Sequence, residues 1–225
     1  MSLASSSTKV LHYIYDPLCG WCYAAEALAE AAVAQAAGAY AVQLHAGGLF
    51  ARTQLSEAKR AHIRSADAHI GQRTGQSFGD AYLNGLLSDP NTVYDSAQPI
   101  RAILASEDLQ AGSAPAMLKA LQWAHYREGL RVVEEPTLVQ VAQTNGLEPA
   151  AFSQALAAVD AQKLSEHLQR THALMQQVGA RGYPSFVVQR AAQWQLLPHE
   201  RFYGNAAGFA QLVSDAFESL GLRPV

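Results

Sequence analysis

The chain has 225 residues, 49% of them hydrophobic and 16% charged, with a formal net charge of −3. That balance supports a packed core and excludes a disordered chain, and the lack of any Lys/Arg-rich stretch argues against nucleic acid or an anionic membrane as partner. No apolar run approaches the roughly 20 residues needed to cross a bilayer. The Ser-rich, polar start at 1–9 lacks the basic-then-apolar pattern of a secretory signal, so the expected compartment is the cytoplasm. The length suits one large domain or a small domain carrying an insertion.

In chain order, Val10 to Tyr15 (VLHYIY) is β-branched and aromatic on both faces, the pattern of a buried central strand. Asp16-Pro17 ends it, and Cys19 follows at once. From Tyr23 to Ala37 the spacing predicts a helix, with Ala25, Leu28, Ala29, Ala32, Val33 and Ala36 on one stripe and Gly38 as its cap. Val42 and Leu44 alternate with Gln43 and His45 in a second strand closed by Gly47-Gly48. A strand, helix, strand order with a crossover of this length predicts parallel pairing.

The next hundred-odd residues read as helices. One spans Ala58 to Ile70; others open at Pro99, Pro115, Pro136 and Pro149, and a longer one runs to Val178, with Gly129, Asn145-Gly146 and Gly179 at helix ends. Proline at the start and glycine past the end is the expected asymmetry. Strand character returns after Pro184, where Ser185 to Gln189 and Gln193 to Leu197 flank Arg190-Ala191-Ala192 as a hairpin. A last helix runs from about Ala206 to Leu220.

The two cysteines are three positions apart, in Cys19-Gly20-Trp21-Cys22. A disulfide closing so short a loop adds almost nothing to stability, so the pair is better explained by chemistry. C-x-x-C between a strand and a helix is the context of a redox dithiol. The unpaired amides and positive dipole end of a helix start favour a thiolate, the species that attacks a disulfide. Cys19 is therefore the expected nucleophile and Cys22, one turn on and deeper, the resolving thiol. The rival readings are inert buried thiols or half a zinc site. Zinc needs two further ligands, and none of the eight histidines form an i, i+4 pair on a predicted helix or share metal spacing with a carboxylate. Asp16 reads as a turn or cap residue, with a charge that raises a neighbouring thiol's pKa as the sharper alternative. No G-x-G-x-x-G or phosphate-loop pattern occurs, so neither a nucleotide, a flavin nor a metal is expected.

The order βαβ, helical block, ββα is an α/β class. With the block set aside it is the minimal thioredoxin arrangement, which places a thioredoxin-like domain at 8–50 and 179–225 and an inserted helical domain at 51–178. In that fold the loop before the third strand carries a cis-proline beside the dithiol. Pro184 takes that role, and the backbone of Tyr183 is free to pair with an extended substrate.

Tyr15-Asp16-Pro17-Leu18-Cys19-Gly20-Trp21-Cys22-Tyr23 and Gly182-Tyr183-Pro184-Ser185-Phe186 resemble the DsbA-like proteins, and most closely their cytosolic branch of predicted protein-disulfide isomerases related to FrnE-type oxidoreductases. Gly47-Gly48-Leu49, Tyr94-Asp95-Ser96, Gln122 to Gly129 and Gly146-Leu147 extend the resemblance over nearly the whole chain. It implies thiol–disulfide exchange with protein or small-molecule thiols, with Cys19, Cys22 and Pro184 in the family roles and Gly20, Trp21 and Tyr183 meeting substrate. It implies no bound cofactor, with glutathione a candidate redox partner. Many relatives carry proline where Gly20 stands, and a smaller residue where Tyr183 does, which narrows the substrate groove. Two alternatives remain at this stage. One is a glutathione-dependent kappa-like transferase or isomerase, whose sites usually hold serine at the Cys19 position. The other is a peptide-binding holdase gripping clients over Trp21 and Tyr183.

Overall fold

A computed structural model describes residues 9–222. The polar start at 1–8 and the last three residues, which the expected domain boundaries include, lie outside the described residues.

Strands β1 (Lys9–Tyr15), β2 (Ala41–Ala46), β5 (Ser185–Arg190) and β6 (Gln193–Leu196) form one sheet in the order β2-β1-β5-β6. The central position of β1 follows from its two apolar faces. It pairs in parallel with β2, Val10 opposite Ala41, and antiparallel with β5, Leu11 opposite Val188. The β5–β6 hairpin turns on Ala191-Ala192, with Ala191 at φ 52°. Side chains alternate along β1. Leu11, Tyr13 and Tyr15 join Phe186 and Val188 in the main core, while Ile14 and Val187 face the other way.

The main face is covered by α2 (Glu26–Ala36) and α9 (Ala206–Leu222), through Leu28, Ala32, Phe209, Val213 and Phe217. The chain between β2 and β5 runs through α3 (Glu57–Thr74), α4 (Ala97–Leu109), α5 (Ala114–Tyr126), α6 (Glu135–Thr144), α7 (Pro149–Ala158) and α8 (Ala161–Val178). Helices α4 to α7 pack on one another around Ile100, Leu121, Leu138 and Phe152. The last of these helices, α8, returns to the sheet. Its Leu174 packs on Ile14 and Val187, so α8 covers the face that α2 and α9 leave open.

Three features differ from the sequence reading. The first helix is broken into α1 (Gly20–Ala24) and α2 at Ala25, whose ψ is 0°. The carbonyls of Cys22 and Tyr23, freed by the break, accept instead from the Tyr13 hydroxyl (3.4 Å) and the Gln76 side-chain amide (3.0 Å). Helix α4 begins at Ala97 rather than Pro99, placing the proline inside its first turn. The stretches flanking α3, which carry no periodicity, hold a π-helical turn at Ala81–Leu86 and a two-residue ladder between β3 (Thr53–Gln54), before α3, and β4 (Val93–Tyr94), after it. Elements this short leave no periodic signal.

Candidate active site

Strand β1 ends at Tyr15, Asp16 turns the chain, and Cys19 stands at the N-cap position of α1 in extended conformation. Both cysteines are free thiols. Cys22 is fully buried, and the backbone N–H of Asp16 donates to its Sγ at 3.4 Å. Burial, foremost, and then the neighbouring Cys19 thiol push the Cys22 thiol well above its ordinary range. Cys19 is 9% exposed, at the edge of burial, and its Sγ donates to the Tyr183 carbonyl at 3.5 Å. The Tyr183–Pro184 peptide bond is cis.

Two depressions flank the dithiol loop, and Trp21 lines both of them. One groove, about 430 Å³, is lined by Trp21, Arg73, Arg181, Tyr183, Pro184 and Tyr203. Trp21 is fixed there from several sides: Tyr203 lies 5.4 Å from its ring, His69 approaches edge-on at 6.0 Å, and the Arg73 guanidinium sits 5.8 Å over it. The phenol of Tyr183 occupies the space a Cβ at Gly47 would need, so Gly47 and Tyr183 are a matched pair. Burial raises that phenol to about 12, so it stays neutral. A second cleft, about 670 Å³, opens on the other side between α1 and the wall formed by α3 and the π-helical turn, with Leu18, Cys19, Ile63, Asp67 and Tyr82 among its lining.

The structure therefore brings Cys19, Gly20, Trp21, Cys22, Tyr183 and Pro184 together. Sequence reasoning underrated Asp16 and missed Asp67, Arg73, Tyr82 and Tyr203. Asp16 is fully buried. Its carboxylate accepts from Leu18 N (2.8 Å), Leu49 N (2.6 Å) and the Ser96 hydroxyl (3.0 Å). It caps the turn before Cys19, and it also ties that turn to the loop after β2 and to the start of α4. Burial raises its pKa, and these hydrogen bonds pull it back. The signal for Asp67 was Gly20: where relatives carry proline, this chain leaves space for a side chain from elsewhere. His125 does not reach the dithiol cleft. It is buried among Tyr82, Tyr94 and Tyr126, and burial pushes it down to about 3.

Among the described residues, no group of three or more His, Cys, Asp or Glu side chains is arranged to hold a metal ion. No helix among them is long and apolar enough to cross a membrane.

The model of the DSBA-like thioredoxin domain matches residues 10–205. The chain belongs to the DSBA-like thioredoxin domain family. Its fold is the DsbA-like thioredoxin fold, and it is a thiol–disulfide oxidoreductase of that family. The cytosolic disulfide reductase DsbM from Pseudomonas aeruginosa is 37% identical over 93% of this chain and 99% of its own, with a TM-score of 0.85. The same protein with GSH gives 0.84 at the same identity and coverage. A candidate protein disulfide isomerase from Nitrosomonas europaea, 21% identical over 95% of this chain and 98% of its own, has a TM-score of 0.78 and shares the fold. None of the curated proteins matches the chain. The DsbA-like family typically uses no bound cofactor.

Proposed function

We propose that this DsbA-like protein is a cytoplasmic disulfide reductase in which Cys19 is the nucleophile and Cys22 the resolving thiol. The observation that carries the reading is the contrast between the two sulfurs. Cys19 lines the larger cleft and reaches the Tyr183 carbonyl, whereas Cys22 is fully buried behind it. Cys19 as thiolate attacks one sulfur of a substrate disulfide, the S–S bond breaks, and the departing thiolate takes a proton from water. Cys22 then loses its proton, attacks the Cys19 sulfur, and releases the second thiolate. The dithiol has become the Cys19–Cys22 disulfide and two electrons have passed to substrate. Two molecules of a small thiol such as glutathione restore it, leaving as their own disulfide. The Tyr183 backbone beside Pro184 holds an extended substrate, Trp21 supplies an apolar contact, and Gly20 meets the substrate beside them.

The reducing direction is favoured by electrostatics. Couples whose reduced thiolate is stabilised are oxidants. Here burial, the neighbouring Cys19 thiol and the charge of Asp16 all disfavour the Cys22 thiolate. The 37% identical neighbour described as a cytosolic disulfide reductase, also described with GSH, supports the compartment, the direction and the small thiol. The reverse cycle oxidises substrate dithiols, and isomerase activity is the redox-neutral use of the same site, in which Cys19 forms a mixed disulfide with a mispaired client and leaves as a client thiol re-pairs. We assign the redox site to a thioredoxin-like domain at 8–50 and 179–225, which supplies all four sheet strands, and the second cleft wall to the inserted helical domain at 51–178.

The test is turnover of a peptide disulfide. Cys19→Ser is expected to abolish reduction. Cys22→Ser, with no glutathione present, is expected to accumulate a mixed disulfide on Cys19 visible by mass spectrometry. Full multiple turnover by Cys22→Ser under those conditions overturns the assignment.

A further inference from the structure

Asp67, in the middle of α3, is a buried carboxyl that the exchange chemistry above does not require. It is 3% exposed, and its Oδ2 accepts from the Tyr82 hydroxyl at 2.9 Å. Its Oδ1 accepts nothing among the described residues and points at the active-site turn: a Cβ placed on Gly20 would stand 2.8 Å from it and 3.1 Å from Ile70 Cδ1. Asp67 and Cys19 line the same cleft, and the buried Tyr126 phenol feels the charge of Asp67 and of both thiols. Asp16, the other buried acid beside the dithiol, differs: it spends both oxygens on the backbone and on Ser96, and its remaining charge adds to the rise of the Cys22 thiol.

No cation forms a salt bridge with Asp67 among the described residues. Arg64, one turn away on α3, places its guanidinium on the Leu83 carbonyl (2.7 Å), the Ser88 hydroxyl (2.7 Å) and Asn84, and its charge reaches Asp67 only from a distance, lowering the Asp67 pKa against the larger effect of burial. Lys59 and His62 of α3 line the cleft. The π-helical turn contributes Tyr82, β4 contributes Tyr94 and α5 contributes Tyr126, all phenols raised by burial and uncharged at neutral pH. His125, against Tyr82, is held neutral by burial. Burial likewise lifts Asp67 itself, to about 6, so that it is mostly ionised at neutral pH and protonated in mild acid.

We propose that the carboxylate of Asp67, filling the space a side chain at Gly20 would take, sets the reducing poise of the Cys19–Cys22 couple by disfavouring its thiolate. The tuning charge reaches the dipeptide between the cysteines from α3. Asp67 is a positioning residue in this sense. It exchanges no electrons and forms no bond to substrate. The inference rests on the dithiol reading above.

The experiment equilibrates wild-type protein, Asp67→Asn and Tyr82→Phe in glutathione buffers of known ratio at pH 7.5 and at pH 5. Asp67→Asn keeps the shape and an acceptor for Tyr82. At pH 7.5 it is expected to shift the equilibrium with glutathione toward the reduced protein by about tenfold, about 30 mV to the oxidising side. At pH 5, where wild-type Asp67 is protonated, the two proteins should converge. Tyr82→Phe removes a hydrogen bond that lowers the Asp67 pKa. It should therefore resemble Asp67→Asn near pH 6.5 and wild type at pH 8. A merely structural role moves none of these pH-resolved differences. If wild type titrates reversibly but Asp67→Asn changes the equilibrium by less than about twofold at pH 7.5, the inference fails and the dithiol reading stands. If wild type shows no reversible titration, the dithiol reading itself fails.

Discussion

At the residue scale, the site depends on groups that hold the loop before Cys19 in shape. Asp16 carries most of that burden, because Leu18 N, Leu49 N and the Ser96 hydroxyl all end on it. Asp16→Ala would leave those buried donors without an acceptor. It should cost about 3 kcal/mol or more by urea unfolding, at about 1–3 kcal/mol for each orphaned group, whereas Asp16→Asn keeps an acceptor and should cost less. A cost below about 1 kcal/mol for Asp16→Ala would contradict this role. Cys19, Cys22 and Pro184 were legible in the sequence because a thiol pair after a strand has few other uses. Asp16 was legible as a turn or cap residue and as a charge near the thiols, but not as a tie between three segments. Its second and third partners come from the loop after β2 and from α4, and nothing local announces them. Asp67 shows the same limit from the other side. The sequence displayed the gap, a glycine between the cysteines, but not the side chain from α3 that fills it.

At the element scale, Pro and Gly punctuation located α5 to α8, while a run apolar on both faces located β1, alternation located β2 and a hairpin pattern located β5 and β6. What escaped depends on close backbone approach rather than on pattern. The end of α5 and the π-helical turn touch through glycines: Gly79 N donates to the Tyr126 carbonyl at 2.8 Å, and Gly129, at φ 65°, has no room for a Cβ beside the Ala81 carbonyl. This contact positions Tyr82 and Tyr126 on the dithiol cleft. Gly112 has a similar left-handed φ of 83° but open space around it. Gly112→Ala should therefore cost only the backbone term, about 1 kcal/mol. Gly129→Ala adds a backbone clash and should cost about 3 kcal/mol or more. Equal urea midpoints for the two variants would show that the α5 contact is not tight.

At the scale of the whole molecule, the sheet carries a polar seam on the face that α8 covers. His12 Nδ1 lies 2.9 Å from His45 Nε2, His12 also meets Gln189 at 3.0 Å, and His167 of α8 accepts from Ala46 N at 3.0 Å. Burial lowers all three histidines, His45 to about 3 and His167 to about 4, and His125 in the helical block to about 3. Below the ordinary histidine value of 6.5 the unfolded chain takes up protons that the native protein refuses, so stability falls with falling pH. Asp67 and Asp16 have raised values and act in the opposite sense, gaining stability as pH falls, but they are fewer. The melting temperature followed by circular dichroism should therefore drop between pH 7 and pH 4.5, by roughly 1.4 kcal/mol of stability per pH unit for each uncompensated proton. A melting temperature that rises over that range would contradict the burial of these histidines. The βαβ and ββα halves could be read from the sequence because each is built from neighbours in the chain. That α8 would close the second sheet face could not, since its partners Ile14 and Val187 lie in distant strands. The account as a whole stands on the two sulfurs. Its most direct test is equilibration of the wild-type protein in glutathione buffers, with the Cys19–Cys22 disulfide read by mass. A single reversible two-electron titration near the thioredoxin value of about −270 mV is the expected result. A potential near the oxidant value of about −120 mV would contradict the reducing direction, and the absence of any reversible titration would contradict the site.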